Sequence, residues 1–381
     1  MHFMLNDEQL MIRDTAARFL AEQSTSAAIR RAMQSETGYD PALWHTLSGE
    51  MGWSAIHIPE AYGGLGLGYV ELALLMEEMG RHLLCSPFHA SVALGANALL
   101  VAGSEAQKQH WLPAMASGEI TATLALPAKG GLWQADAVTA RWQQEGEAYV
   151  LDGVLNHVPN GHSAGLIIVA AREAKAGGGT ALFLLPANTQ GLSRTRQASM
   201  DQTRPQAEIR LDKVVLPLSA RMTGGHAELA TLLDLAAIAI AAEQLGVAQA
   251  ALDSSVAYSK ERQQFGRAIA GYQAIKHRAA DMMLKAELAR SAVYYAACLA
   301  QETLSASQHN TAELAQAASL AKAYASEAAF YNAGCGIQLF GGVGITSEYD
   351  IQLYFKRAQS TAAFLGSPAW HRARIAAQLL D

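Results

Sequence analysis

Between Thr121 and about Met222 the chain stops reading as helix, and this interruption limits its architecture more than any other feature. Short runs rich in β-branched residues and leucine follow one another there: TATLALP, AVTARWQ, AYVLDGVLNHV, GLIIVAAR, TALFLLPA and AEIRLDKVVLP. Gly, Asp, Asn and Pro separate them, and AKAGGGT is the most flexible connector. Regular short strands with turns between them predict a small β-barrel or sandwich. A parallel α/β arrangement would need a helix in each crossover, and there is no room for one.

On either side the pattern is helical. In DEQLMIRDTAARFLAEQ, Leu10, Ile12, Ala16, Phe19 and Leu20 recur at roughly helical spacing, with Asp7 placed as the N-cap. YVELALLMEEMGRHL reads as another helix, with Gly80 as its expected stop. The intervening IHIPEAYGGLGLG cannot continue a helix and is expected to be loop. From 224 onward four long helices are predicted, at about 226–263, 272–303, 311–337 and 347–364, with a short fifth in PAWHRARIAAQLL. Such lengths and short connections suit an antiparallel four-helix bundle. The expected fold is therefore mainly α. It comprises an N-terminal helical domain (1–120), a middle β-barrel or sandwich domain (121–222) and a C-terminal four-helix bundle (223–381).

Composition removes several classes of function. The 381 residues carry a net charge of −6, so no basic stripe is available for nucleic acid. Cys85, Cys298 and Cys335 are isolated, without CxxC spacing, which argues against a metal site or a disulfide framework and fits a reducing compartment. The opening MHFMLNDEQLMIRDTAARFL is interrupted early by acidic residues and does not read as a secretory signal. Leu229 to Ala251 is long and apolar enough to span a bilayer, but Asp234, Glu243 and Gln244 lie inside it. A helix buried in a bundle is the expectation, with no membrane partner and a cytoplasmic location.

Two stretches look built for a phosphate. In ERQQFG, Arg262 offers a fixed fork of donors, although a solvated charge at a helix end would read the same way. In QLFGGVG, Gln338 stands beside Gly341 and Gly342, where missing side chains let backbone N–H groups approach an anion. A plain helix terminator would also use a glycine pair. GGLGLG at 63–68 is not a dinucleotide fingerprint and reads as loop geometry.

Taken together, IPEAYGGLGLG (58–68), GSEAQKQHWLPAMASGE (103–119), YSKERQQFGRAIAGYQAIKH (258–277) and IQLFGGVGITSEY (337–349) resemble the acyl-CoA dehydrogenase family over essentially the whole chain. The resemblance implies FAD, an acyl-CoA substrate and a 2,3-enoyl-CoA product. A carboxylate removes the proton next to the thioester, hydride passes to the flavin, and electrons leave to an electron-transferring flavoprotein. It also implies that Arg262, Phe265, Gln273, Gln338, Gly341, Gly342 and Ser367 serve the cofactor, the glycine loop acting on a neighbouring subunit's flavin.

The departures are as informative as the matches. The family position for a glutamate base after the last long helix is Leu365, and the other known base position falls at Ala236, next to Ala237. Neither Leu365 nor Ala236 can take a proton. In the β segment, Ala125, Leu126 and Pro127 replace the usual threonine and Glu-Pro, and His157 and Pro159 replace the Trp and Thr that flank the flavin ring. Pro159 has no N–H to donate.

One alternative base remains. Glu243 lies two helical turns beyond Ala236, on much the same helix face and in the most apolar helix. It reads either as a displaced base or as a buried carboxylate paired with a cation from another helix. His371 reads as a structural histidine, Asp152 as a turn residue and the Glu77–Glu78 pair as a solvated face. Two functions follow: an active dehydrogenase, as a homo-oligomer, with Glu243 as base, or a non-catalytic partner in an α2β2 assembly that completes a second chain's flavin site. A flavin-dependent oxygenase is a weaker third.

Overall fold

A computed structural model describes residues 5–125, 133–305 and 311–380. Asn6, rather than Asp7, opens the first helix, α1 (Asp7–Gln23). Its side chain accepts the Gln9 N–H, and the Gln9 side chain accepts the Asn6 N–H in return. Asn6 wins because only the residue before the first turn can turn its side chain back on the free N–H groups. The helices α2 (Ser26–Gln34), α3 (Pro41–His45), α4 (Tyr69–Arg81), α5 (Asn97–Ala102) and α6 (Glu105–Ala116) follow.

Seven strands come next: β1 (Ala122–Ala125), β2 (Arg141–Glu145), β3 (Ala148–Pro159), β4 (Leu166–Glu173), β5 (Thr180–Pro186), β6 (Leu192–Gln197) and β7 (Gln206–Pro217). The chain then forms α7 (His226–Glu261), a small hairpin of β8 (Gln263–Gln264) and β9 (Arg267–Ala268), and α8 (Gln273–Ser305). It ends with α9 (Thr311–Phe340), α10 (Ile351–Ala363) and α11 (Pro368–Leu380). The order helical, then β, then helical bundle is the one expected. These elements form two compact units, one of residues 31–68 and 85–236, the other of 1–30, 69–84 and 237–381.

In the first unit the strands make one sheet in the order β1-β4-β2-β3-β7-β6, with β5 on β4. Most pairs are antiparallel, but β4 pairs in parallel with both β1 and β2. No crossover helix is required, because neither parallel partner is β4's neighbour in the chain. Trp142, Tyr149 and Phe183 anchor the sheet's core with ring centroids 5.3–5.7 Å apart. Asp152 proves to be a strand residue beside a register shift rather than a turn residue. It accepts the Lys213 N–H at 2.9 Å, which steadies a left-handed backbone (φ 47°) at Lys213.

Helix α7, of which residues 237–261 belong to the second unit, is long and apolar enough to cross a membrane, and 94% of its most apolar stretch is buried within the protein. Gly80 does not stop α4, which runs to Arg81. Its role is close approach: a Cβ there would lie 2.1 Å from the Glu243 carbonyl oxygen of α7. Gly246 answers from α7, where a Cβ would lie 1.8 Å from the Glu77 carbonyl oxygen. The two helices therefore cross on backbone, which is why α4 belongs to the bundle. This crossing also buries the Glu77–Glu78 pair, at 4% and 3% exposure, and so corrects the solvated-face reading. Glu77 is bound by Arg290 and, at 2.8 Å, by the Tyr294 hydroxyl. Burial, with the Glu77 charge beside it, pushes the Glu78 carboxyl up to about 7.

Candidate functional site

The two motifs expected to face a phosphate converge at one end of the bundle. The Tyr258 ring of α7 stacks on Phe340, the last residue of α9, with centroids 4.1 Å apart. Four residues beyond Tyr258 comes Arg262, and immediately after Phe340 comes Gly341. The Arg262 side chain is exposed, and among the described residues it has no ion-pair or hydrogen-bond partner. Phe265 sits at the tip of the β8–β9 hairpin with φ 52° and 91% exposure. Tyr272 steadies this hairpin, its hydroxyl donating to the Gln264 carbonyl at 3.2 Å. Gln273 begins α8 and is exposed, as is Gln338.

Gly341 does end α9, with φ 67°, so the helix-terminator reading is part of the truth. Its other half is open space: a Cβ added at Gly341 or Gly342 meets nothing within 4 Å. An unpaired guanidinium, exposed glycine backbone and an exposed ring together suit a diphosphate with an attached nucleoside. Ser367 is employed elsewhere, its Oγ accepting the Trp370 N–H at 3.2 Å as α11 begins.

The positions at which the resemblance leads one to expect a base are closed. Leu365 is 2% exposed and left-handed (φ 62°), and Ala236 and Ala237 are 0% and 2% exposed. Glu243 is also deeply buried, at 1%. Arg357 of α10, likewise at 1%, places Nη1 2.6 Å from its Oε1. Of the two readings open for Glu243, this is the geometry of the paired carboxylate. With an oxygen committed to that guanidinium, the carboxylate is poorly placed to collect a substrate proton.

The turn around Leu365 is held from inside. His371, 1% exposed, donates from Nε2 to the Leu365 carbonyl at 2.9 Å. Burial, and then the nearby Lys322 charge, push its imidazole down to about 3, so the ring is neutral. Lys322 of α9 is fully buried and donates to Ser326 Oγ at 2.9 Å, to the Gly366 carbonyl at 3.2 Å and to the Ala362 carbonyl at 3.5 Å. Ser326 passes a bond to Gln244 Oε1 at 3.1 Å. No carboxylate among the described residues lies within ion-pair distance, and burial pushes the Lys322 ammonium down to about 7. Sequence reading missed Lys322 and Arg357. A lysine inside the small-residue run SLAKAYASEAA was the available signal.

On the sheet, the polar groups near the altered positions are spent internally. Thr123 Oγ1 donates to the Pro159 carbonyl at 2.7 Å. His157, exposed with φ 60°, has its N–H on Gln197 and its ring nitrogen 3.1 Å from Gln206 Oε1. Ala125 is buried in β1, while Leu126 and Pro127 lie outside the described residues.

Comparison with known proteins gives this geometry its context. The acyl-CoA dehydrogenase N-terminal domain profile matches residues 6–119, and the C-terminal domain profile matches 223–380. Acyl-CoA dehydrogenase IpdE2 of Mycolicibacterium smegmatis is 33% identical over 377 residues, covering 98% of this chain and 100% of the relative. Among solved structures, the Tcur3481–Tcur3483 steroid ACAD G363A variant superposes with a TM-score of 0.87 at 28% identity, over 98% of each chain. The ChsE4–ChsE5 complex of Mycobacterium tuberculosis superposes with a TM-score of 0.89 at 26% identity, over 100% of this chain and 99% of the other. With both terminal domains matched and relatives alike over their full length, the chain belongs to the acyl-CoA dehydrogenase family of FAD-dependent oxidoreductases.

Proposed function

We propose that this chain is the base-free subunit of a heteromeric acyl-CoA dehydrogenase that oxidises a bulky acyl-CoA, of steroid type, to its 2,3-enoyl-CoA. The observation that carries this reading is the fate of the acid groups. Leucine and alanine hold both family base positions, and Glu243 is engaged by Arg357 in a buried pair. A second dehydrogenase chain then supplies the carboxylate that takes the proton. Two similar structures support the assembly and the substrate class, one being the ChsE4–ChsE5 complex and the other a steroid ACAD.

The residues present fit one half of the cofactor. Arg262 and the backbone N–H groups of Gly341 and Gly342 would hold the pyrophosphate, with Phe265, Gln273 and Gln338 flanking it and Ser367 contributing beside its capping bond. When bound, FAD supplies the hydride acceptor, and an electron-transferring flavoprotein then removes the electrons. The sheet offers little to the flavin ring, because Pro159 lacks an N–H and the Thr123 hydroxyl is already used.

The test is flavin content and turnover, in the chain alone and co-expressed with a second dehydrogenase chain. The expected result is little flavin and no acyl-CoA oxidation alone, with both gained on co-expression. One flavin per chain and turnover in isolation, lost in Glu243→Gln, would instead make this a self-sufficient enzyme with Glu243 as base.

A further inference from the structure

The unit formed by residues 31–68 and 85–236 contains a cleft of about 700 Å³ that the reading above does not use. Leu184 of β5 and Leu216 of β7 form its floor, at 4% and 3% exposure. Trp111 of α6 and Val215 of β7 form its apolar walls. A concave space of this size, apolar with a few placed polar groups, has the composition of a small-molecule site.

Among its polar lining, which also includes His110, Thr189 and Gln190, is a prepared cation. Buried Gln107 of α6 donates to the carbonyls of Ser219 at 2.8 Å and Arg221 at 3.0 Å, which pins the backbone carrying Arg221. The Arg221 guanidinium carbon lies 5.0 Å from the centroid of Trp142 and 5.8 Å from that of Tyr149. Stacking of this kind holds the plane of the group while leaving its N–H fork unspent. Among the described residues no hydrogen bond or ion pair uses that fork, and no Asp or Glu lines the cleft.

We propose that the cleft binds a monoanionic amphiphile, with its carboxylate on Arg221 and its apolar body between Trp111 and the Leu184–Leu216 floor. A neutral apolar ligand would leave the guanidinium unused, and a dianionic phosphate would call for more than one held arginine. A carboxylate matches the single planar fork in both charge and shape.

Titration calorimetry of the purified chain with decanoate, and with decanol as the uncharged comparator, tests the assignment. One decanoate per chain is expected, with Arg221→Gln weakening it by about tenfold or more, as loss of a charge-assisted pair requires. Decanol should bind the native protein as weakly as decanoate binds the variant. Should Arg221→Gln fail to fold for want of its ring stacking, Val215→Glu decides. Val215 is 60% exposed, so the fold tolerates the change, and the new carboxylate should abolish decanoate binding. Undiminished binding in Val215→Glu would place the acid elsewhere and overturn the proposal, as would no binding by the native chain at about 1 mM decanoate, the weak limit of a specific site.

Discussion

Arg357 reaches from α10 to the Glu243 carboxylate of α7 across 2.6 Å, and the two side chains are 1% and 2% exposed. An ion pair so deeply buried tells more about folding than about proton transfer. Removing one partner leaves the other charge uncompensated, which typically costs about 3–5 kcal/mol. Glu243→Gln should therefore lower the midpoint of urea unfolding sharply. The double substitution Glu243→Leu with Arg357→Met should recover most of the loss, because it removes both charges. A Glu243→Gln protein as stable as the native one but without turnover would show a catalytic carboxylate instead.

The fold was legible because its signals are repetitive. Short β-rich runs against long helical ones can be counted, and the five C-terminal helices lie close to where periodicity places them. The candidate site was legible only in part. Arg262, Gly341 and Gly342 are local motifs and can be read in place. The Glu243–Arg357 pair joins residues 114 positions apart, and a buried carboxylate looks the same in sequence whether its partner is a guanidinium or a substrate. Glu77 and Glu78 misled for a similar reason. Gly80 and Gly246 allow the close crossing that buries them, and that crossing exists only in three dimensions.

That crossing gives a second prediction. In an exposed helix, Gly→Ala stabilises by about 1 kcal/mol. At Gly246 the new Cβ would meet the Glu77 carbonyl oxygen at 1.8 Å and the Arg81 nitrogen at 2.6 Å, both backbone atoms that cannot rotate away. Gly246→Ala should therefore destabilise, by about 1–3 kcal/mol or more. A thermal melt equal to or above that of the native protein would mean that α4 is not seated on α7 in this way.

Glu78 gives a third prediction, with a definite sign. Its carboxyl is raised to about 7 from an ordinary 4.5, first by burial and then by Glu77. The folded protein thus holds this proton more tightly than the unfolded chain does. The resulting stability is full below about pH 4.5 and is lost as pH rises through 7. Glu78→Gln keeps the neutral form at every pH. Its stability relative to the native protein should climb between pH 5 and about 8 and then level off. A difference that stays flat over that range would show that Glu78 titrates normally.

Lys322 should behave in the opposite sense. Its ammonium is pushed down to about 7 by burial, and among the described residues its polar contacts are the Ser326 hydroxyl and the carbonyls of Ala362 and Gly366. Between pH 7 and about 10 the unfolded chain binds this proton more tightly than the folded one, so stability attached to Lys322 rises with pH. In Lys322→Met that dependence disappears. The native protein should therefore gain on the variant by up to about 1.4 kcal/mol for each pH unit across this window, and hold a constant difference below it. Urea unfolding of both proteins at pH 6, 7, 8 and 9 measures the gap directly. A gap that stayed constant from pH 6 to 9 would mean that Lys322 keeps an ordinary lysine's affinity for its proton, and that water or a counter-charge reaches it where α10 turns toward α11.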